Sequence, residues 1–133
     1  QRVLELGTGS GYQAAILSGL VKEVVSIEII EPIGMSAKAR LSRLGYDNVT
    51  VKIGDGYNGW EALAPYDAII VTAATDHIPL PLTKQLKIGG KMIIPVGSEH
   101  MTQELLLVTK QAEDKIISRK IIPVRFVPVT GVH

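Results

Sequence analysis

The sequence predicts a doubly wound α/β domain: a mostly parallel sheet with an antiparallel pair at its C-terminal edge. Three observations carry this. Apolar, strand-like runs alternate with helical periodicity from the first residues to about position 96, the pattern that builds parallel βαβ units. Val3-Leu4-Glu5-Leu6 runs through Gly7, Gly9 and Gly11 straight into Gln13-Ala14-Ala15-Ile16-Leu17, which reads as strand, tight turn and helix start. Beyond position 96 the helical spacing stops and two long strand-like stretches follow one another.

Taken in order, the first strand covers about 2–6 and the first helix about 12–20. Glu23–Ile29 is the second strand. Pro32 suits the first turn of a helix, where its missing N–H costs nothing. Ile33, Ala37, Leu41 and Leu44 continue that helix at helical spacing, and Gly45 stands where a left-handed C-cap belongs. Gly34 within it is a penalty of about 1 kcal/mol against Ala. Val49–Ile53 is a third strand. Asp67–Thr72 is a fourth, continuously apolar as a strand buried on both faces should be. A short helix at about 79–87 is expected to close at Gly89-Gly90, followed by a fifth strand over Lys91–Val96. Glu104–Val108 and a tail from Ile116 to Val129 supply the antiparallel edge pair.

Composition narrows the class. A chain of 133 residues, 46% hydrophobic and 20% charged, suits one folded domain over 1–133 with a single sizeable core. The sequence opens Gln1-Arg2 directly into a core strand, so a piece of a longer chain is expected. A net charge of +1 gives no broad electrostatic grip on nucleic acid. With no cysteine, disulfides and thiolate metal sites are excluded. No apolar run reaches the roughly 18 residues of a membrane span, and no signal peptide is visible. A cytoplasmic monomer without a membrane partner is the expectation.

The glycine spacing bears on the ligand. A dinucleotide fingerprint, G-x-G-x-x-G, would place its third glycine at position 12, which is Tyr12; here it falls at Gly11. Glu5 precedes the turn. A pyrophosphate favours a helix N-terminus but is repelled by a neighbouring carboxylate. S-adenosylmethionine has no phosphate and carries a sulfonium and an ammonium, which a carboxylate attracts, so that cofactor is favoured over NAD. Glu28 ends the second strand, where an acidic side chain can accept hydrogen bonds from ribose hydroxyls. Asp55, between Gly54 and Gly56, ends the third strand; it can form an ordinary Asx turn or accept from the exocyclic amine of adenine. Three acidic residues at three successive strand ends strengthen one another.

The fourth strand bears on the reaction. Amino-directed nucleic-acid methyltransferases place an Asn/Asp-Pro-Pro-aromatic element there, whereas this chain has Val71-Thr72-Ala73-Ala74-Thr75-Asp76. His77 is expected to be an exposed loop residue rather than a general base. His100 and His133 show no ligand spacing, and no metal site is expected.

Longer stretches then carry a resemblance. Val3-Leu-Glu-Leu-Gly-Thr-Gly-Ser-Gly-Tyr-Gln13, Ile27-Glu-Ile-Ile30, Leu44-Gly-Tyr-Asp-Asn-Val49, Gly54-Asp-Gly56 and Ala64-Pro-Tyr-Asp-Ala-Ile-Ile-Val-Thr-Ala-Ala74 resemble the protein-L-isoaspartate O-methyltransferase family. So do Leu86-Lys-Ile-Gly-Gly90, Ile94-Pro-Val-Gly97, Gln103-Glu-Leu-Leu-Leu-Val108 and Val124-Arg-Phe-Val-Pro-Val-Thr-Gly131. Ile88 stands where the family usually has Pro, and Gly34 and Met35 are unusual in the second helix. The resemblance implies a Rossmann-like, class I S-adenosylmethionine-dependent methyltransferase fold. It implies cofactor binding by Glu5, Gly7, Gly9, Glu28 and Asp55, with Thr8, Ser10, Gly11, Ile29, Gly54, Gly56 and Thr72 in the same set. For Thr72, Ala73, Ala74 and the tail residues Phe126, Val127, Pro128 and Val129 it implies a substrate pocket wall. The family also carries an N-terminal region of several tens of residues, contacting substrate and covering the cofactor, which this sequence does not contain.

The implied reaction moves the sulfonium methyl to the α-carboxylate of an isoaspartyl residue in a damaged protein or peptide, leaving S-adenosylhomocysteine. The ester then closes to a succinimide, whose hydrolysis partly restores aspartyl linkages. A carboxylate with a pKa near 4 is already ionised at neutral pH, so no general base is needed. Catalysis is expected to rest on holding the oxygen about 3–3.5 Å from the methyl group, with no individually catalytic residue. Two other readings stand beside it: a different carboxyl or small-molecule methyltransferase on the same scaffold, and a cofactor-binding fragment without activity.

Overall fold

The computed structural model describes residues 1–97 and 103–124. The elements run β1 (Arg2–Leu6), α1 (Tyr12–Ser18), β2 (Glu23–Glu28), α2 (Glu31–Arg43), β3 (Val49–Ile53), two 3-10 turns (Gly56–Asn58 and Glu61–Leu63), β4 (Tyr66–Val71), α3 (Leu80–Gln85), β5 (Leu86–Val96), β6 (Gln103–Ala112) and β7 (Lys115–Val124). The described strands form one sheet in the order β3-β2-β1-β4-β5-β6-β7. The first five pair in parallel, and β5–β6 and β6–β7 are antiparallel. The strand order reverses between β1 and β4, which opens a crevice at their carboxyl ends, the ligand position of doubly wound sheets.

Alternation along the strands divides the core between the two faces of the sheet. Leu4, Leu6, Val25, Ile27, Ile69, Val71, Met92 and Ile94 pack with Leu82 of α3 on one face. Val24 and Val51 meet Ala14 of α1 and Leu41 of α2 on the other. The parallel register sets Glu5 beside Ser26, so a carboxylate and a hydroxyl share an interior position. Gly34, an oddity of the second helix, lies where α2 comes close to the sheet: a Cβ there would stand 3.3 Å from Glu28 Cβ and 2.1 Å from Ile53 Cδ1.

The first helix ends at Ser18 rather than about 20, and the largest difference from the sequence reading lies at the third helix. The helix expected over about 79–87 ends at Gln85, and the glycine pair lies inside β5. Tyr66 pairs with Leu86 and Ala68 with Lys91, so Lys87–Gly90 bulge opposite Asp67. Gly89 has φ +87°. A left-handed glycine serves a helix C-cap and a strand bulge equally well, so the sequence signal was real but its context was not local. The expected tail strand is seen as β7 to Val124; Phe126, Val127, Pro128 and Val129 lie outside the described residues. Among the described residues no helix is long and apolar enough to cross a membrane.

Candidate cofactor site

The glycine turn is built by backbone geometry. Gly7, Gly9 and Gly11 have φ of +102°, +55° and +89°, a conformation that other residues adopt only with strain. Gly7 is the most constrained, because a Cβ would fall 2.2 Å from Thr72 Oγ1. That hydroxyl donates to the Leu6 carbonyl at 2.7 Å and so ties the β4 loop to the end of β1.

Glu28 holds the turn from the side. Its Oε1 accepts from the Gly9 N–H at 2.9 Å and its Oε2 from the Ile30 N–H at 3.1 Å. Each carboxylate oxygen has further lone-pair capacity for a ligand hydroxyl. Arg40 of α2 donates to the Ser10 carbonyl at 2.6 Å, holding the outer side of the turn.

Glu5 is fully buried beneath it. Ser26 donates to Glu5 Oε1 at 2.6 Å, and the Thr8 hydroxyl lies 2.6 Å from Ser26 Oγ. With the Ser26 proton committed to Glu5, Thr8 is the donor of that second bond. Glu5 Oε2 has no hydrogen-bond partner among the described residues. Burial pushes the Glu5 carboxyl up to about 6, the Ser26 hydrogen bond opposes the shift, and the nearby charge of Glu28 adds to it.

At the neighbouring end of β3, which pairs with β2 at Glu28, Asp55 Oδ1 accepts from the Tyr57 N–H at 3.0 Å and caps the short turn that follows. Gln85 fixes the next residues: its Oε1 accepts from Trp60 N–H at 2.9 Å and its Nε2 donates to the Asn58 carbonyl at 2.8 Å. Together these parts enclose a cleft of about 310 Å³. Of the expected cofactor residues it is lined by Gly7, Glu28, Ile29, Asp55 and Gly56, and of the expected substrate residues by Ala73. Glu5 and Thr8 lie buried under the turn rather than in the cleft wall. Ser10 and Gly11 line a separate groove with Tyr12 and Arg40. Gly9, Gly54, Thr72 and Ala74 stand in the surrounding loops but not in that lining.

Sequence reasoning missed the apolar floor and one wall. Leu6, Ile27 and Val71 are the last or next-to-last residues of β1, β2 and β4 and pave the cleft with Leu82 and Pro79. Their signal was available, since a residue at a strand's carboxyl end faces the crevice in this fold. Tyr57, directly after Gly54-Asp55-Gly56, forms the wall; an aromatic residue beside a ligand loop was the clue. Among the described residues the lining contains two carboxylates and no Lys or Arg. Such a cleft suits an apolar ring system with positive charge and hydroxyls, and disfavours phosphate.

The family profile for protein-L-isoaspartate (D-aspartate) O-methyltransferase matches residues 1–133. The chain belongs to this family. It is 60% identical over 130 residues to protein-L-isoaspartate O-methyltransferase 2 of a Polaromonas species, covering 98% of this chain and 62% of that protein. It is 58% identical over 132 residues to protein-L-isoaspartate O-methyltransferase 1 of Nitrosospira multiformis, covering 99% of this chain and 56% of that protein. The chain thus spans little more than half the length of these curated relatives. Among solved structures, a protein-L-isoaspartate O-methyltransferase superposes with a TM-score of 0.89 at 37% identity, over 98% of this chain and 42% of that one. A Plasmodium falciparum protein described as a protein-L-isoaspartate O-methyltransferase, solved in complex with S-adenosyl-L-homocysteine, gives 0.78 at 28% identity, over 97% of this chain and 65% of that one.

Proposed function

We propose that this chain is the cofactor-binding core of a protein repair methyltransferase. In this reading it transfers the methyl of S-adenosylmethionine to the α-carboxylate of L-isoaspartyl residues in damaged proteins and peptides. The observation that carries it is the charge of the crevice. Glu28 and Asp55 line it, Glu5 lies beneath its glycine turn, and no Lys or Arg among the described residues lines it. Gly7 lines that cleft, and the buried Glu5 carboxylate beneath the turn keeps an unpartnered Oε2.

In this reading Glu28 holds the ribose hydroxyls while keeping its grip on the Gly9 N–H. Asp55 accepts from the adenine amine, and Leu6, Ile27, Val71 and Leu82 desolvate the rings. Glu5 supplies negative potential under the turn from a low-dielectric position, where a charge acts with little screening. Thr8, Ser10, Gly11, Gly54 and Thr72 shape the loops that carry those groups, and Ile29 and Gly56 complete the wall. When bound, the sulfonium supplies an activated methyl group. Ala73 and Ala74, on the loop after β4, would face the acceptor. The chain's residues need only align an ionised carboxylate with that methyl and exclude water, which is positioning rather than proton transfer. In this reading the protein is a cytoplasmic monomer.

Methyl transfer to an isoaspartyl peptide, with the matching aspartyl peptide as control, tests the reading. A base-labile methyl ester on the isoaspartyl peptide alone is the expected product. Binding of S-adenosylhomocysteine without transfer would reduce the chain to a cofactor-binding unit. Transfer to another carboxyl or small-molecule acceptor alone would move it to a different methyltransferase class.

A further inference from the structure

One wall of the cleft depends on three side chains that the cofactor reading does not use. Tyr57 lines the cleft, and its hydroxyl lies 3.0 Å from His77 Nε2, with the two rings edge to face at 5.9 Å. His77 Nδ1 is bonded in turn to Asp76 Oδ1. A carboxylate can only accept, so Nδ1 carries a proton; in the neutral ring Nε2 is then the acceptor and the Tyr57 O–H donates to it. Asp76, His77 and Tyr57 thereby form one hydrogen-bonded chain.

The backbone on both sides is anchored as well. The Thr75 hydroxyl donates to the His77 carbonyl at 2.6 Å, while Thr75 itself bridges to Val96 of β5. Thr75 N–H donates to the Pro95 carbonyl at 3.1 Å, and Gly97 N–H donates to the Thr75 carbonyl at 2.8 Å. On the other side, Asp55 holds the Tyr57 N–H. The Tyr57–His77 bond is therefore a side-chain tie between the loop after β3 and the loop after β4, each of which supplies part of the cleft.

We propose that Asp76 and His77 are positioning residues that hold the Tyr57 ring as a wall of the cofactor cleft and so control ligand retention. This rests on the cofactor reading above. Neither residue lines the cleft, and their effect passes through the Tyr57 hydroxyl. Tyr57 is 41% exposed, so without the tie its ring has solvent to swing into, and a bound ligand would lose one face of its enclosure.

Titration calorimetry and stopped-flow release of S-adenosylhomocysteine from the wild-type chain, Tyr57→Phe, His77→Ala and the double variant test this. Tyr57→Phe keeps the ring and removes only the bond. Each single change should weaken affinity by about three- to tenfold, mainly through faster release, the range for one exposed-to-half-buried hydrogen bond. The double variant should be no weaker than the worse single variant, because both remove the same tie. Unchanged affinity in either single variant, or effects that multiply in the double, would overturn the proposal. So would a fall in unfolding midpoint that tracks the affinity loss, since that assigns the effect to the fold. Failure of the wild-type chain to bind at all would instead remove the cofactor reading on which the proposal rests.

Discussion

Glu5→Gln should gain stability relative to the wild-type chain as pH rises to neutrality in the ligand-free protein. Glu5 is fully buried, receives one hydrogen bond from Ser26 and leaves Oε2 unpartnered. Its carboxyl titrates at about 6 in the fold against an ordinary 4.5. At about 1.4 kcal/mol per pH unit, that difference amounts to about 2 kcal/mol of stability. The folded-state value is raised, so this stability is fully present below pH 4.5 and is lost as pH rises through about 6. Glutamine is neutral throughout and its amide oxygen can still accept from Ser26. The stability of Glu5→Gln relative to wild type should thus grow by about 1.2 kcal/mol between pH 5 and pH 7.5, approaching a 2 kcal/mol advantage over its low-pH value. Urea unfolding at the two pH values measures it. A gap that does not change with pH, or one that narrows as pH rises, would refute the assignment of Glu5 as a strained, ionisable group. The same variant should bind S-adenosylmethionine more weakly, and lose more affinity for it than for uncharged S-adenosylhomocysteine, since the residue that destabilises the empty protein is the one that favours a cationic ligand.

Other perturbations separate the parts of the site. Glu28→Ala should weaken S-adenosylhomocysteine binding by about 1–3 kcal/mol, because it strands the Gly9 N–H and removes the ribose acceptor; calorimetry showing unchanged affinity would contradict the role. Gly7→Ala must accommodate φ +102° and a Cβ 2.2 Å from Thr72 Oγ1, so urea unfolding should register a loss of about 2 kcal/mol or more. Gln85→Leu should cost about 1–3 kcal/mol by leaving Trp60 N–H and the Asn58 carbonyl without their partner. Hydrogen exchange should then quicken at Tyr57–Trp60 while the β1–β4 core stays protected; uniform quickening would argue against a local clamp.

The architecture was largely legible because its signals are local and repeated. The apolar run Ile69–Val71, the Pro32 helix start and the three turn glycines each fix their own element, and the strand ends then place Glu28 and Asp55 together. What was not legible depends on register between distant residues. That Glu5 faces Ser26 follows from the β1–β2 pairing, which no local pattern states, so the sequence suggested a ligand-facing carboxylate where the fold holds a buried one. Gly89-Gly90 shows the same limit: the left-handed conformation was foreseen, but only the pairing of Tyr66 with Leu86 reveals a bulge. Tyr57 and His77 are twenty residues apart and meet only because two loops end on one side of the sheet.

The claim at the centre of this account is that the crevice takes a phosphate-free, cationic adenosine cofactor rather than a dinucleotide. Parallel calorimetric titrations of the chain with S-adenosylhomocysteine, S-adenosylmethionine and NAD decide it. Saturable one-to-one binding of the first two, with no heat from NAD at the same concentrations, is the expected result. Binding of NAD, or no binding of either adenosyl compound, would contradict the account.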